Sequence, residues 1–501
     1  MKEAGILLHI SSLPSPYGIG TLGQSAYDFI DFLAESGQRI WQILPIGPTS
    51  YGDSPYSALS SFAANPYFID LDLLVEDGLL AKEDLPPLCT GKTVDYASLY
   101  NTRYTILHRA YENRQKYEKE FMEFIRQEDS WLNDYALYMV LKREHENKPW
   151  NLWYDDFKYR NPQSMAWLQT EYRESILEYK FYQYLFFKQW LNLKHYANTK
   201  GIRIMGDMPI YCAYDSADVW ANPSNYQLDS AMNPTFVAGC PPDAFTADGQ
   251  LWGNPLYNYD KMEQEDFKWW VSRVKHSFKL FDILRIDHFR GFAGYYAIPY
   301  GDKTAKGGHW EVGPGYKLFK AIQRECPTAD IVAENLGFLT PDVFTLLEKC
   351  GYPGMHIFQF ELGDGKKNIP LKKKFAENTI FYSGTHDNQT IMSFYHDLSK
   401  ENKELVDAIC KIKFTDRANL KIIEYCMKQN SRYCIIPLQD YLGLTDSEGR
   451  MNTPSTLGGN WGYRAEIKDF SAGLKAYLLK ITEKYHRTGL NTLSDLSLIH
   501  I

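Results

Sequence analysis

Short, continuously apolar runs recur along the chain at 6–10, 39–44, 202–206, 281–286, 330–333, 355–360, 379–382 and 433–437. Each ends in polar or glycine-rich residues, and most are followed by a helical pattern. A strand apolar on both faces is what a parallel sheet requires, because helices cover one side and the core the other. Strand and helix alternating in this way predict a parallel (β/α)8 barrel occupying 1–501 as a single unit.

Spacing between the runs predicts where the barrel is decorated. The stretch from Leu44 to Ile202 is far too long for one crossover helix, and 100–144 and 172–200 within it read as long amphipathic helices, the second leading into the third strand. A mostly helical insertion over about 50–175 follows. A second insertion, about 209–261, is rich in Pro, Gly, Asn, Asp and Trp and stands after the third strand, where barrel loops build active sites. After the eighth run the chain reads as the helix AGLKAYLLKITEKY, with no room for a C-terminal β domain; the closing SDLSLIHI carries no readable signal.

Composition narrows the function. The 501 residues carry 23% charged and 44% hydrophobic side chains and a net charge of -8, which describes a folded chain and argues against nucleic acid as a partner. The run Lys372-Lys373-Lys374 is too short for a phosphate-binding patch and reads as a solvated helix surface. The first residues lack a signal-peptide cleavage site, and no stretch approaches the roughly 18 apolar residues of a membrane span. The eight cysteines lack CxxC spacing, so reduced, cytoplasmic thiols are expected rather than a metal site. Aromatics stand out at 15%, with 37 Tyr and 12 Trp. Their flat faces suit the CH-rich faces of sugar rings.

One motif misleads. Gly18-Ile-Gly20-Thr-Leu-Gly23 matches the dinucleotide fingerprint GxGxxG, but SSLPSPY separates it from the strand where the fingerprint needs a tight turn. A glycine-rich active-site loop is expected instead.

The chemistry gathers at the strand ends. In FDILRIDHFRG, Arg285 and Asp287 are two apart and share the inward face, so Arg285 is expected to keep the Asp287 carboxylate ionised. The third strand ends with Asp207, the fifth with Glu334 and the seventh with His386 and Asp387. Carboxylates at equivalent ends of neighbouring strands repel one another unless a site uses them. Two carboxyls flanking a glycosidic bond are what sugar transfer needs.

These residues resemble the α-amylase superfamily and, within it, the amylomaltase family of 4-α-glucanotransferases. The likeness spans nearly the whole chain and includes GILLHISSLPSPYGIGTLG, YGDSPYSALSSFAANPYFIDLDLL, GDMPIY, LWGNPLYNYD, RIDHFRG, AENLG and THDN. It implies Asp287 as nucleophile, Glu334 as acid/base and Asp387 as transition-state stabiliser, with Arg285, His386 and Asp207 lining the same subsite. It implies Ser54 and Tyr56 on the donor side, and Gln250, Trp252 and Asn254 on a flexible loop arching over the centre. MNTPSTLGGNWGYR resembles a second rim loop with Asn460 as its contact, though Ser455 stands where the family usually has Gly. The implied partners are an α-1,4-glucan donor and acceptor, and the chemistry needs no cofactor or metal. Two rivals stay open: a hydrolase using the same triad, and a non-catalytic glucan-binding barrel.

Overall fold

The computed structural model describes the chain except residues 1, 51, 243–246, 338, 362–374, 457 and 490–501. Lys372–Lys374 and SDLSLIHI therefore lie outside the described residues. Eight strands form one parallel sheet: β1 (Glu3–Leu7), β2 (Ile40–Gln42), β3 (Arg203–Met208), β4 (Ile283–Ile286), β5 (Ile331–Ala333), β6 (Gly354–Ile357), β7 (Thr379–Tyr382) and β8 (Tyr433–Pro437). Their order is β6-β7-β8-β1-β2-β3-β4-β5. The Ala333 N–H donates to the Pro353 carbonyl at 3.0 Å and brings the two end strands together, giving the predicted barrel.

β1 begins three residues earlier than expected. Leu8 and Ile10 are buried, as their apolar character required, and His9 is buried with them, yet all three have left the sheet and turn into a short helix at Ile10–Ser12. Gly20 packs directly on that turn: a Cβ there would stand 1.7 Å from the Ile10 carbonyl oxygen. Gly23 packs closely on Asp70, and Gly18 supplies a positive φ of 83°, so the GxGxxG glycines serve loop packing and a turn.

The predicted helix over 100–144 is three helices, Tyr96–Glu112, Glu118–Gln127 and Asp129–Glu144, while the crossover helix Arg173–Thr199 runs unbroken into β3. Two glutamines on that helix fix the loop after β2. Gln183 exchanges hydrogen bonds with the Ala64 backbone, and Gln189 with that of Asp70. Buried backbone far from any sheet is satisfied by side chains of the insertion.

The insertion after β3 is helical only in part. It supplies strands Phe236–Cys240 and Gln250–Pro255, which join Gly294–Pro299 and His309–Val312 from the loop after β4 in a four-stranded antiparallel sheet. After β8 the described residues are helical, ending in Ala472–Lys484. No helix among the described residues is long and apolar enough to cross a membrane.

Candidate active site

The carboxylates stand where the strands open. Asp207 and Arg285 are register partners on β3 and β4, and Arg285 Nη1 donates to Asp207 Oδ1 and Oδ2 at 2.7 and 2.6 Å and to Asp287 Oδ1 at 3.0 Å. Arg285 and Asp207 are buried, while Asp287 keeps 26% of its side chain open to the cleft. Burial, together with the charges of Asp207, Glu334 and Asp387, pushes Asp287 well above the usual carboxylate range despite Arg285. The expectation that Arg285 holds Asp287 low is corrected here: Arg285 does lower it, but burial outweighs that cation, which also serves Asp207.

Backbone geometry brings Glu334 to Asp287. His288 takes a left-handed conformation, φ 49°, which costs a non-glycine residue roughly 1–2 kcal/mol. The turn directs the His288 N–H to Glu334 Oε2 at 2.7 Å, while Leu336 N–H donates to Oε1 at 2.8 Å. The residue after the β4 aspartate thus holds the β5 glutamate.

The turn after β7 carries His386 and Asp387. Asp440, buried beyond β8, spans both its ends: Ser383 Oγ donates to Oδ2 at 2.6 Å and Ile391 N–H to Oδ1 at 2.8 Å. Burial pushes Asp440 up to about 6. His386 stacks on Tyr56, ring centroids 4.9 Å apart, and Tyr56 Oη donates to Asp207 Oδ2 at 2.7 Å. Burial also lowers the pKa of His386, favouring a neutral ring. Asn452 Nδ2 donates to Asp387 Oδ1 at 2.7 Å.

A cleft of about 1940 Å³ opens to solvent here; the buried Glu334, Asp207 and Arg285 are not among the residues that line it. Asp287, His386 and Asp387 line its floor, and Ser54, Tyr56, Gln250, Trp252 and Asn254 its walls. Trp252 sits on the edge strand Gln250–Pro255, not on a flexible loop; its indole donates to Gln250 Oε1 and its ring meets His288 edge-on at 4.8 Å. Asn254 also donates to the Cys212 carbonyl. Asn460 is a correction. It turns into its own loop, accepting from Thr453 N–H and donating to Thr456, and does not line the cleft. Trp461 lines it instead, 5.9 Å from the rings of both Tyr56 and His386. Ser455 adopts φ 63°, the left-handed conformation that glycine accepts without strain.

Sequence reasoning missed Asn452, Trp461, Tyr214 and Asp215, all of which line the cleft. The first two lie in the same rim motif as Asn460, so the motif was legible but the orientation of its side chains was not. Among the described residues, no group of three or more His, Cys, Asp or Glu is arranged to hold a metal ion.

Residues 8–468 match the model of the 4-alpha-glucanotransferase family, glycoside hydrolase family 77. The chain belongs to this family. A 4-alpha-glucanotransferase of Clostridium butyricum is 45% identical over 486 residues, covering 96% of this chain and all of the relative. The chloroplastic/amyloplastic 4-alpha-glucanotransferase of Solanum tuberosum is 40% identical over 92% of this chain and 82% of its own length. Among solved structures, the amylomaltase from Streptococcus agalactiae in complex with acarbose superposes with a TM-score of 0.94 at 39% identity, covering 97% of this chain and all of that one.

Proposed function

We propose that this chain is a 4-alpha-glucanotransferase, an amylomaltase, that moves a segment of an α-1,4-glucan to the 4-hydroxyl of a second glucan or of glucose. The observation that carries the reading is the set of Asp287, Glu334 and Asp387 at the ends of β4, β5 and β7, with Asp287 and Asp387 lining one sugar-sized cleft, in a chain of this family.

The reaction is a double displacement. The Asp287 carboxylate attacks the anomeric carbon while the Glu334 proton passes to the glycosidic oxygen; that C–O bond breaks and the reducing-end fragment leaves. Glu334, now ionised, takes the proton of the acceptor 4-hydroxyl, whose oxygen displaces Asp287 and restores the starting configuration. Each Glu334 oxygen accepts one backbone N–H, which leaves a second lone-pair position for the proton it carries. Asp387 keeps nearly half of its side chain exposed to grip sugar hydroxyls, and Asn452 and His386 fix its orientation. Trp252, beside His288 at the cleft wall, offers an apolar face for an acceptor ring and limits water at the centre. Buried free thiols at Cys212, Cys350, Cys410, Cys426 and Cys434 support a reducing compartment, the cytoplasm.

Incubation with maltotriose tests the reading. A ladder of longer maltodextrins plus glucose is expected, and the near-isosteric Asp287→Asn should form none while keeping its circular dichroism. Maltose and glucose with rising reducing ends would mean hydrolysis and overturn it.

A further inference from the structure

Part of the aromatic excess lies neither in the core nor in the cleft. In the insertion between β2 and β3, Leu152, Tyr154, Tyr159 and Trp167 are 65, 75, 43 and 50% exposed. Four rings there form a chain. Tyr154 lies 5.4 Å from His145, His145 lies 5.8 Å from Phe157, and Phe157 stacks on Trp167 at 6.4 Å with 17° between the planes. Single exposed aromatics need no explanation, but exposed Tyr154 and Trp167 linked through the half-buried His145 and Phe157 mark a contact surface.

Buried Trp150 links this segment to the cleft wall. Trp150 Nε1 donates to the Tyr214 carbonyl at 2.7 Å, its ring lies 5.4 Å from that of Tyr214, and its N–H reaches Asp215 Oδ1 at 3.2 Å. Tyr214 and Asp215 both line the cleft. Asp215 is held in turn by Lys142 Nζ at 2.6 Å and Tyr138 Oη at 2.5 Å, both from the helix Asp129–Glu144 that leads into the aromatic segment. One rigid brace therefore joins the patch to the end of the cleft.

We propose that the Tyr154–Trp167 surface is a second glucan-binding site, a platform on which a long α-1,4-glucan lies while one of its ends occupies the cleft. The proposal rests on the function given above and adds where the rest of a long chain goes. The patch chemistry favours a polyol over a protein partner. Exposed Asp155 and Asp156 and the Lys158–Asp155 ion pair at 3.0 Å interleave with the rings, offering donors and acceptors to sugar hydroxyls while the aromatic faces meet the CH surface. The core of a protein interface is instead depleted in charge. Holding a long chain beside the cleft raises the effective concentration of its end there. Maltotriose, too short to reach both places, gains nothing.

Native electrophoresis through gels with and without dissolved glycogen, combined with kinetics on amylose and on maltotriose, tests this. The double variant Tyr154→Ala/Trp167→Ala should lose most of the glycogen retardation seen with the wild type. Its KM for amylose should rise about five- to tenfold, the scale of a lost stacking contact, while kcat and KM on maltotriose stay unchanged. Because Trp167 packs on Phe157, the more exposed Tyr154→Ser is run alongside, and an intermediate loss of retardation is expected at an unchanged melting temperature. Unchanged retardation in both variants would overturn the platform. So would a fall in oligomer size on gel filtration with retardation intact, which would make the patch a contact between copies of the chain. A wild type that forms no ladder from maltotriose would instead sink the function on which the platform rests.

Discussion

Arg285 Nη1 lies closer to both oxygens of Asp207 than to Asp287, so one cation is divided between a structural and a reacting carboxylate. Burial and neighbouring negative charge therefore dominate at Asp287 and push it up. The nucleophile works ionised, so activity is present above its pKa and lost as pH falls through it. The acid limb of kcat/KM, which reports the free enzyme, should accordingly lie above the value near 3.9 of an ordinary aspartate. Asp207→Asn removes one negative charge and leaves Arg285 to Asp287 alone, and both changes favour the carboxylate. The limb should move to lower pH, whatever happens to the maximal rate. A pH–rate profile of the variant that keeps or raises the limb would show that Asp207 does not set the charge of Asp287. Which residues crowd together was legible, since an arginine and an acid two apart on one strand, with acids repeated at the ends of others, can point only to the barrel mouth. How the charges share one arginine was not legible, because that depends on distances of a few tenths of an ångström.

At the scale of elements, what was legible follows the range of the forces involved. Parallel strands announced themselves as apolar runs because burial on both faces acts residue by residue. The start of β1 did not, since Leu8 to Ile10 are buried whether or not they stay in the sheet. The four-stranded sheet was invisible. Its edge strand His309–Val312 is exposed throughout, and its partner Gly294–Pro299 also pairs with Phe236–Cys240, more than fifty residues away in the chain, so no local alternation marks either. Asp440 belongs to the same class, because its role exists only once β7 and β8 are side by side. Asp440→Ala leaves a buried hydroxyl and a buried N–H unpaired at the two ends of the turn that carries His386 and Asp387. Each unpaired group costs about 1–3 kcal/mol, and a misplacement of about 1 Å at a reacting site costs about 100-fold in rate. The expected result is kcat/KM on maltotriose down about 100-fold in Asp440→Ala. Recovery to within a few-fold is expected in Asp440→Asn, whose amide oxygen still accepts from Ile391 and whose NH2 can donate to Ser383 Oγ. Equal loss in both variants would mean that negative charge, not the bridge, is what the turn needs.

Across the whole molecule the two ends of the barrel divide the charged residues by task. The C-terminal end of the strands holds the cleft, while the opposite end carries a network with no access to it. Arg203 at the start of β3 pairs with Glu3 of β1 and, at 3.0 Å, with Asp330 before β5; Asp330 also accepts from Arg432 at 3.0 Å and from Tyr433 Oη at 2.8 Å at the start of β8. Three segments more than a hundred residues apart are tied at one carboxylate, 18% exposed on its side chain, and Arg203 extends the tie to Glu3. Removing it leaves two guanidinium groups short of a partner. Breaking a fully buried pair costs 3–5 kcal/mol, and partial exposure reduces this to about 2. A chain of this length seldom unfolds in two states, so the fitting measure is the rate of irreversible inactivation at a fixed elevated temperature. Asp330→Ala should inactivate about tenfold or more faster, the network being already broken in the transition state for unfolding so that its loss falls on the unfolding rate. At assay temperatures well below this, kcat and KM on maltotriose should stay within twofold of the wild type. A variant that lost kcat while inactivating at the wild-type rate would connect the closed end of the barrel to catalysis and refute the division of labour between its two ends.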